Sequence, residues 1–399
     1  MKFVPRLLGR HIQKGARAFP ALILTGPRRS GKTTLLRTLY PRASYHLFED
    51  PDVVSRFRAD PRQFVEDART PAILDEIQNV PEVLNFIRAD IDRSPKRKGQ
   101  WLLTGSQEAP LMQGVTESMA GRAAIFQLAP LSVLESPKVS LLHGGFPEVV
   151  SRPSSASLWF RSYVQTYLER DVRAVTAIRD LATFRRFLAL LASRCGQILN
   201  KTELAAPLGV SVPTIAQWVN VLEITSQIIV VPPFYENFGK RLLKSPKIYF
   251  MDSGLACHLL GIESEAQLGR SPFLGPLFEG FVAAEIAKQQ SGSDRTRALY
   301  FFRDQQGLEV DFVIPVGDRG LSLIEAKASR TVRPEVAGPL LQLAKSADRY
   351  QISAYLVYRP GKTSPASTAL REGVRAIAAE DLKAALGPPF HPRAPKRPK

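Results

Sequence analysis

At 399 residues, 44% hydrophobic and 23% charged, the chain is long enough to bury two or three cores. Its only cysteines, Cys195 and Cys257, lie far apart without a ligand pattern; this argues against a disulfide framework or a cysteine zinc site and reads as two buried thiols. The net charge of +17 favours polyanionic partners such as nucleic acid without choosing among them, although arginine spread along the chain gives the same total without a binding stripe.

No apolar run approaches the roughly 18 residues of a membrane span, and Pro5 and Arg6 interrupt the apolar start, so a cytoplasmic protein without a membrane partner is predicted. The first clear element is the apolar run Ala21 to Thr25, suited to a buried parallel strand. It enters Gly26, Pro27, Arg28, Arg29, Ser30, Gly31, Lys32 and Thr33, and Thr34 continues into a helical stretch through Leu39. Strand, glycine loop and helix in that order make a phosphate cradle. The glycines let backbone N–H groups turn inward, the helix N-terminus adds partial positive charge, Lys32 neutralises the terminal phosphates and Thr33 holds magnesium.

A second apolar strand, Pro71 to Leu74, ends in Asp75 and Glu76. At the carboxyl edge of a parallel sheet Asp75 steadies the hydration shell of the Mg2+ ion and Glu76 is the candidate base. A third, Trp101 to Thr104, leads into Gly105, Ser106 and Gln107; Ser106 is the candidate γ-phosphate sensor, with loop capping as its alternative.

The succession GPRRSGKTTLL, AILDEIQNVP, WLLTGSQ, SMAGR, LAPLSVLE and GGFPEVV, over residues 20 to about 150, resembles the AAA+ ATPases. The likeness is to the bacterial and archaeal predicted ATPases of the AAA_14 type that carry a C-terminal DUF4143 domain. It implies ATP and Mg2+ as ligands and an arginine that reaches a neighbouring nucleotide in a homo-oligomer. Arg122 in SMAGR is the candidate, and pairing with a local carboxylate is the alternative.

Residues 157–195 repeat apolar side chains at helical spacing, a stripe that reads as core. Within it Tyr167 to Val172 shares the same resemblance, and Arg170 and Arg173 could touch nucleotide or pair with neighbouring acids. Thr202 to Ala206, Gly209 and the run from Ser211 to Leu222 have the layout of a helix-turn-helix, with Ser211 as cap and Pro213 in the first turn. Ile228 to Pro232 and Lys247 to Phe250 would supply a wing. From Val212 to Glu223 there is no lysine or arginine, which leaves Gln217 and Asn220 as base readers and favours a packing module over DNA reading.

After Asp252 to Leu255, another stretch resembling the same ATPases, comes a helix over Leu277 to Gln289 and then strands. Asp311 is out of phase with Val310 and Phe312, while Glu325 and Lys327, two apart, share a face. Pairing through the turn Pro315 to Gly320 would bring the three together, and such a cluster can hold a Mg2+ or Mn2+ ion for phosphodiester cleavage. An inert charged hairpin is the competitor. The pattern resembles the PD-(D/E)XK nuclease superfamily over about residues 265 to 360, without the proline before Asp311; Glu279 matches its helical glutamate, and Glu285 is a rival.

The predicted fold class is therefore α/β: a P-loop NTPase parallel sheet with helices, then a winged-helix segment and a restriction-endonuclease-like α/β domain. The predicted division is ATPase 1–150, helical connector 151–195, winged-helix-like 196–262, nuclease-like 263–385 and a disordered basic tail 386–399. Two functions fit: an ATPase that couples nucleotide state to nucleic-acid binding or cleavage, and a non-cutting ATPase switch whose rear domains dock a protein or nucleic acid.

Overall fold

The computed structural model describes residues 3–105, 118–168, 180–234, 245–359 and 367–387. Its first sheet contains β1 (Ala21–Thr25), β2 (Ser44–Leu47), β3 (Ala72–Asp75), β4 (Trp101–Thr104) and β5 (Ala123–Gln127). All are parallel, in the order β2-β3-β4-β1-β5. β1, β3 and β4 are buried along their whole length, which is why they read as continuous apolar runs.

Their residues alternate between two cores. Ala21, Ile23, Leu74, Trp101 and Leu103 pack with Phe57, Phe64 and Ile87 from α3 (Pro51–Ala59), α4 (Pro61–Asp67) and α5 (Val83–Arg93). Leu22, Leu24, Ile73 and Leu102 pack with Ile12 and Leu35 from α1 (Gly9–Ala18) and α2 (Lys32–Leu39). Each such side chain, fully buried, contributes about 1.5–3 kcal/mol. Because all five strands are parallel, their carboxyl ends open on one edge, and the insertion of β4 between β1 and β3 sets the phosphate loop and Asp75 on either side of Thr104.

The middle of the chain holds the helices Lys201–Ala205 and Val212–Ile224, joined through the left-handed Gly209 and capped by Asn200 and Ser211. An antiparallel pair follows, β6 (Ile228–Val231) with β7 (Lys247–Phe250). Gln217 and Asn220 are both exposed on the second helix.

The rear sheet is mixed, ordered β12-β13-β11-β10-β9-β8. It comprises β8 (Tyr300–Arg303), β9 (Glu309–Val316), β10 (Gly320–Lys327), β11 (Gln351–Tyr358), β12 (Ser367–Arg371) and β13 (Val374–Ala378). One face packs on the helix Gly338–Ser346 through Leu340 and Leu343. The other meets the helix Leu274–Gly292, whose sides are buried almost all round. That helix lies in one apolar cluster running from Ala129 to Leu386, so the middle and rear of the chain share a core. Cys195 and Cys257 are free and buried in it, their thiols pushed up to about 12 chiefly by that burial. Among the described residues, no helix is long and apolar enough to cross a membrane.

Candidate functional site

The loop after β1 turns where only glycine fits: at Gly26, φ +135°, a Cβ would lie 2.2 Å from the Leu128 carbonyl oxygen. Gly31, φ +96°, opens α2. Lys32 curls back so that its Nζ donates to the Gly26 and Pro27 carbonyls, both at 3.0 Å. The Ser30 hydroxyl is fully buried without a hydrogen-bond partner among the described residues. An orphaned donor inside a loop rimmed by amides fits an anionic ligand.

Asp75 is the hub opposite this loop. Thr33 Oγ1 lies 3.0 and 2.8 Å from its two carboxylate oxygens, Tyr45 donates to Oδ2 at 2.7 Å, and Thr104 donates to Oδ1. Burial, then the hydrogen bond to Asp75, raises the Tyr45 phenol well above its usual range, so it stays a donor. Thr104 also accepts from the Glu76 amide at 3.2 Å. Glu76 itself has φ +58°, a left-handed conformation costly for a side-chain-bearing residue and found where a site over-determines the backbone. Gln78 donates to its carboxylate, and Arg28 Nη1 lies 3.8 Å from Glu76 Oε2 and 3.5 Å from Glu49 Oε1. Loop, Asp75 and Glu76 wall a cavity of about 750 Å³, also lined by Phe3, Val4, Thr34, Leu47 and Glu148. Arg29 reaches out from the loop to Glu148 at 3.2 Å.

The loop is tied to the rest of the chain. Buried Arg6 donates to the carbonyls of Ser30, at 2.9 Å, and Ala129, at 2.6 Å, and pairs with Glu135 at 3.0 Å. The same LAPLSVLE segment is gripped from the other side by the helix Leu274–Gly292: Glu285 accepts from the Val133 amide at 2.8 Å, and Lys288 donates to the Leu131 carbonyl at 3.1 Å. Asp252, also buried, accepts from the Gly145 amide at 2.7 Å and caps Leu255, joining the DSGL stretch to GGFPEVV.

The rear carboxylates gather near β7. The register that sets Leu323 opposite Val313 and Ile324 opposite Phe312 lets the Ala326 amide donate to Asp311 Oδ2 at 2.9 Å. Lys327 pairs with Glu325 at 2.7 Å. Lys247 Nζ lies 2.9 Å from Glu279, 2.7 Å from Glu309 and 3.8 Å from Asp311. Burial, then Glu279 and Glu325, pushes the Asp311 carboxyl well above the usual carboxylate range, with Lys247 opposing. Burial works against charge on Lys247, yet Glu279, Asp311 and Glu309 carry it above an ordinary lysine. Both directions favour the protonated form, and the 2.7 and 2.9 Å contacts fit a charged Lys247, with any shared proton on Asp311.

Several expectations need correcting or placing. Glu285, the rival of Glu279, points to the 131–133 segment and takes no part in the Asp311 cluster. Glu279, Asp311 and Glu325 do not form a ready metal cage: among the described residues no group of three or more His, Cys, Asp or Glu is set to hold a metal ion. Lys247, on the β7 strand expected to supply a wing, reaches these acids with its ammonium. Arg122 is paired with Asp92 at 2.7 and 3.0 Å at the amino end of β5, beside the start of β1. It is thus a strand's length, roughly 15 Å, from its own phosphate loop. Ser106, Arg170 and Arg173 lie outside the described residues. Sequence reasoning missed Arg6, Tyr45, Thr104 and Lys247, each of which works through partners distant in the chain.

The fold and this loop define an AAA-type P-loop ATPase fold. Residues 18–136 match the family model of an AAA domain, AAA_14; residues 135–266 match a domain of unknown function, DUF8612, and residues 274–377 another, DUF4143. Two uncharacterized proteins, Rv2008c of Mycobacterium tuberculosis and Mb2031c of Mycobacterium bovis, are 32% identical to the chain over 344 residues, 83% of this chain and 76% of each of theirs. The chain belongs to their family, and itself carries the AAA_14 and DUF4143 matches. Among solved structures, it is similar to the Walker-type ATPase PABY2304 of Pyrococcus abyssi (TM-score 0.40, 15% identity, 63% of this chain and 94% of that one). It is also similar to AMPPCP-bound DnaA from Aquifex aeolicus (TM-score 0.27, 11% identity, 54% and 86%). Neither likeness is close enough to bear on function.

Proposed function

We propose that the chain binds and hydrolyses ATP with Mg2+ at the loop of Gly26 to Thr34. The observation that carries this reading is the facing pair of features: the Lys32 cradle with its orphaned Ser30 hydroxyl, and Asp75 held against Thr33. Thr33 and Asp75 would hold a Mg2+ ion, which when bound would neutralise the phosphate oxygens. Lys32 exchanges its loop carbonyls for phosphate, a change from neutral to charge-assisted hydrogen bonds. Glu76, whose backbone is left-handed, takes a proton from the attacking water. Ser106 acts as sensor, and Arg122 reaches the site of a second copy, which makes a homo-oligomer the working form.

Residues 1–150 are the engine, 151–195 a connector, 196–262 a winged-helix-like unit and 263–385 a nuclease-like unit, with 386–399 a basic tail, acting in the cytoplasm. Arg6 and Glu135 on one side, Glu285 and Lys288 on the other, provide a contiguous route from phosphate loop to rear helix. Nucleic acid is the favoured partner, on the +17 charge. For the rear unit the non-cutting, docking reading gains from Lys247 among the acids; cleavage through Asp311, Glu325, Lys327 and a second Mg2+ or Mn2+ ion is the other reading. Calorimetry tests the core of the proposal: Mg-ATP should bind the wild type and give no heat with Lys32→Ala. Equal binding by both folded proteins would refute it.

A further inference from the structure

A carboxylate removed from water needs a proton, a metal ion or a fixed cation beside it. Four acids meet near the base of the rear sheet: Glu279 from the long helix, Glu309 and Asp311 from β9, and Glu325 from β10. An ammonium has three N–H donors. That of Lys247, 4% exposed, has two carboxylate partners at hydrogen-bond distance and a third at 3.8 Å. The ammonium lies over the ring of Phe301, 5.6 Å from its centroid, and Tyr249, two residues along β7, donates to the same Glu279 oxygen at 2.6 Å. Asp311 has its second oxygen occupied by the Ala326 amide. Glu325 gives one oxygen to Lys327, while its Oε2 is buried without a hydrogen-bond partner among the described residues.

The lysine belongs to β7, outside the rear sheet. Its contacts therefore fasten the β6–β7 pair to β9 and to the long helix, while also filling the space among the acids. We propose that Lys247 is the resident cation of this cluster, standing where a divalent ion would have to bind, so that withdrawing its side chain turns the cluster into a divalent-cation site completed by Glu325 Oε2. This deepens the docking reading of the rear unit and rests on it.

Mn2+ binding, followed by electron paramagnetic resonance on the nucleotide-free full chain, tests the proposal. The wild type should hold no Mn2+ that Asp311→Asn removes. Lys247→Met should gain one ion per chain, and the double variant Lys247→Met with Asp311→Asn should lose it. Wild-type Mn2+ that depends on Asp311, or a folded Lys247→Met that gains none, overturns the proposal. Should Lys247→Met not fold, adding Glu279→Gln and Asp311→Asn should restore its far-ultraviolet circular dichroism, because Glu309 keeps Arg303 at 3.4 Å and Glu325 keeps Lys327 at 2.7 Å while the other two acids are then neutral; failure to restore it counts against the proposal. Incubating the wild type with labelled DNA and Mn2+ separates the two claims. Asp311-dependent cutting defeats the docking reading, whereas absence of cutting together with Asp311-dependent Mn2+ defeats only the role given to Lys247.

Discussion

Lys32 and Lys247 are both nearly buried and both surrounded by oxygen, yet their partners differ in kind. Lys32 rests on two backbone carbonyls, which are neutral and easily exchanged for a phosphate. Lys247 rests on carboxylates from a helix and a strand, which hold it by charge. Carbonyl contacts are readily exchanged for those to an anion, whereas carboxylate contacts already satisfy a cation's charge. The front of the molecule is in this sense an open site and the rear a closed one, although each has an acid at a strand and a lysine beside it.

The largest effect that would sharpen this contrast is in the front. Glu76→Gln should keep ATP binding and slow single-turnover hydrolysis by about 10²–10⁴-fold, the usual range for a lost general base; undiminished hydrolysis would remove Glu76 from that role. At the rear, Lys247→Met should lower stability by about 3–5 kcal/mol in denaturant titrations, because it strands buried acids. A loss below about 1 kcal/mol, the worth of an exposed pair, would mean the lysine is not holding them.

Smaller effects follow. Tyr45→Phe removes one of three hydroxyls on Asp75, and should slow ATP turnover by about tenfold or less, corresponding to one hydrogen bond. His46, next along β2, gives the least. Its imidazole is half-buried with no acid among the causes of its shift; burial first, then Arg56, depresses its pKa below the usual value. A folded-state value below the unfolded one means that the unfolded chain takes the proton first. Its contribution to stability is thus present above about pH 6.5 and lost as pH falls through the folded-state value. His46→Phe should flatten that limb in melting temperatures taken between neutral and mildly acidic pH. An unchanged limb would assign the acid sensitivity elsewhere.

What was legible in the sequence was whatever a short stretch contains entire. The β1 run, its glycine loop and α2 form one local unit, and Asp75 and Glu76 end an apolar strand, so their placement needed no tertiary knowledge. The β9–β10 hairpin was similarly readable from alternation. Arg6 meets Glu135 across 129 residues and Lys247 meets Asp311 across three intervening helices and a strand; no local pattern encodes either. Glu279 and Glu285 show the limit well. Six residues apart on one helix, they point roughly 240° apart, so only one could face the acids, but which one depends on how the helix is rolled against the sheet. Arg122 was readable as a motif, while its distance from the loop follows from the direction of β5, a property of the assembled sheet.

The most direct test of the open front and closed rear is a count of bound Mn2+ per chain at saturating, non-hydrolysable ATP analogue. One ion, absent from Lys32→Ala, is the predicted result. Two ions in the wild type, the second removed by Asp311→Asn, would contradict it.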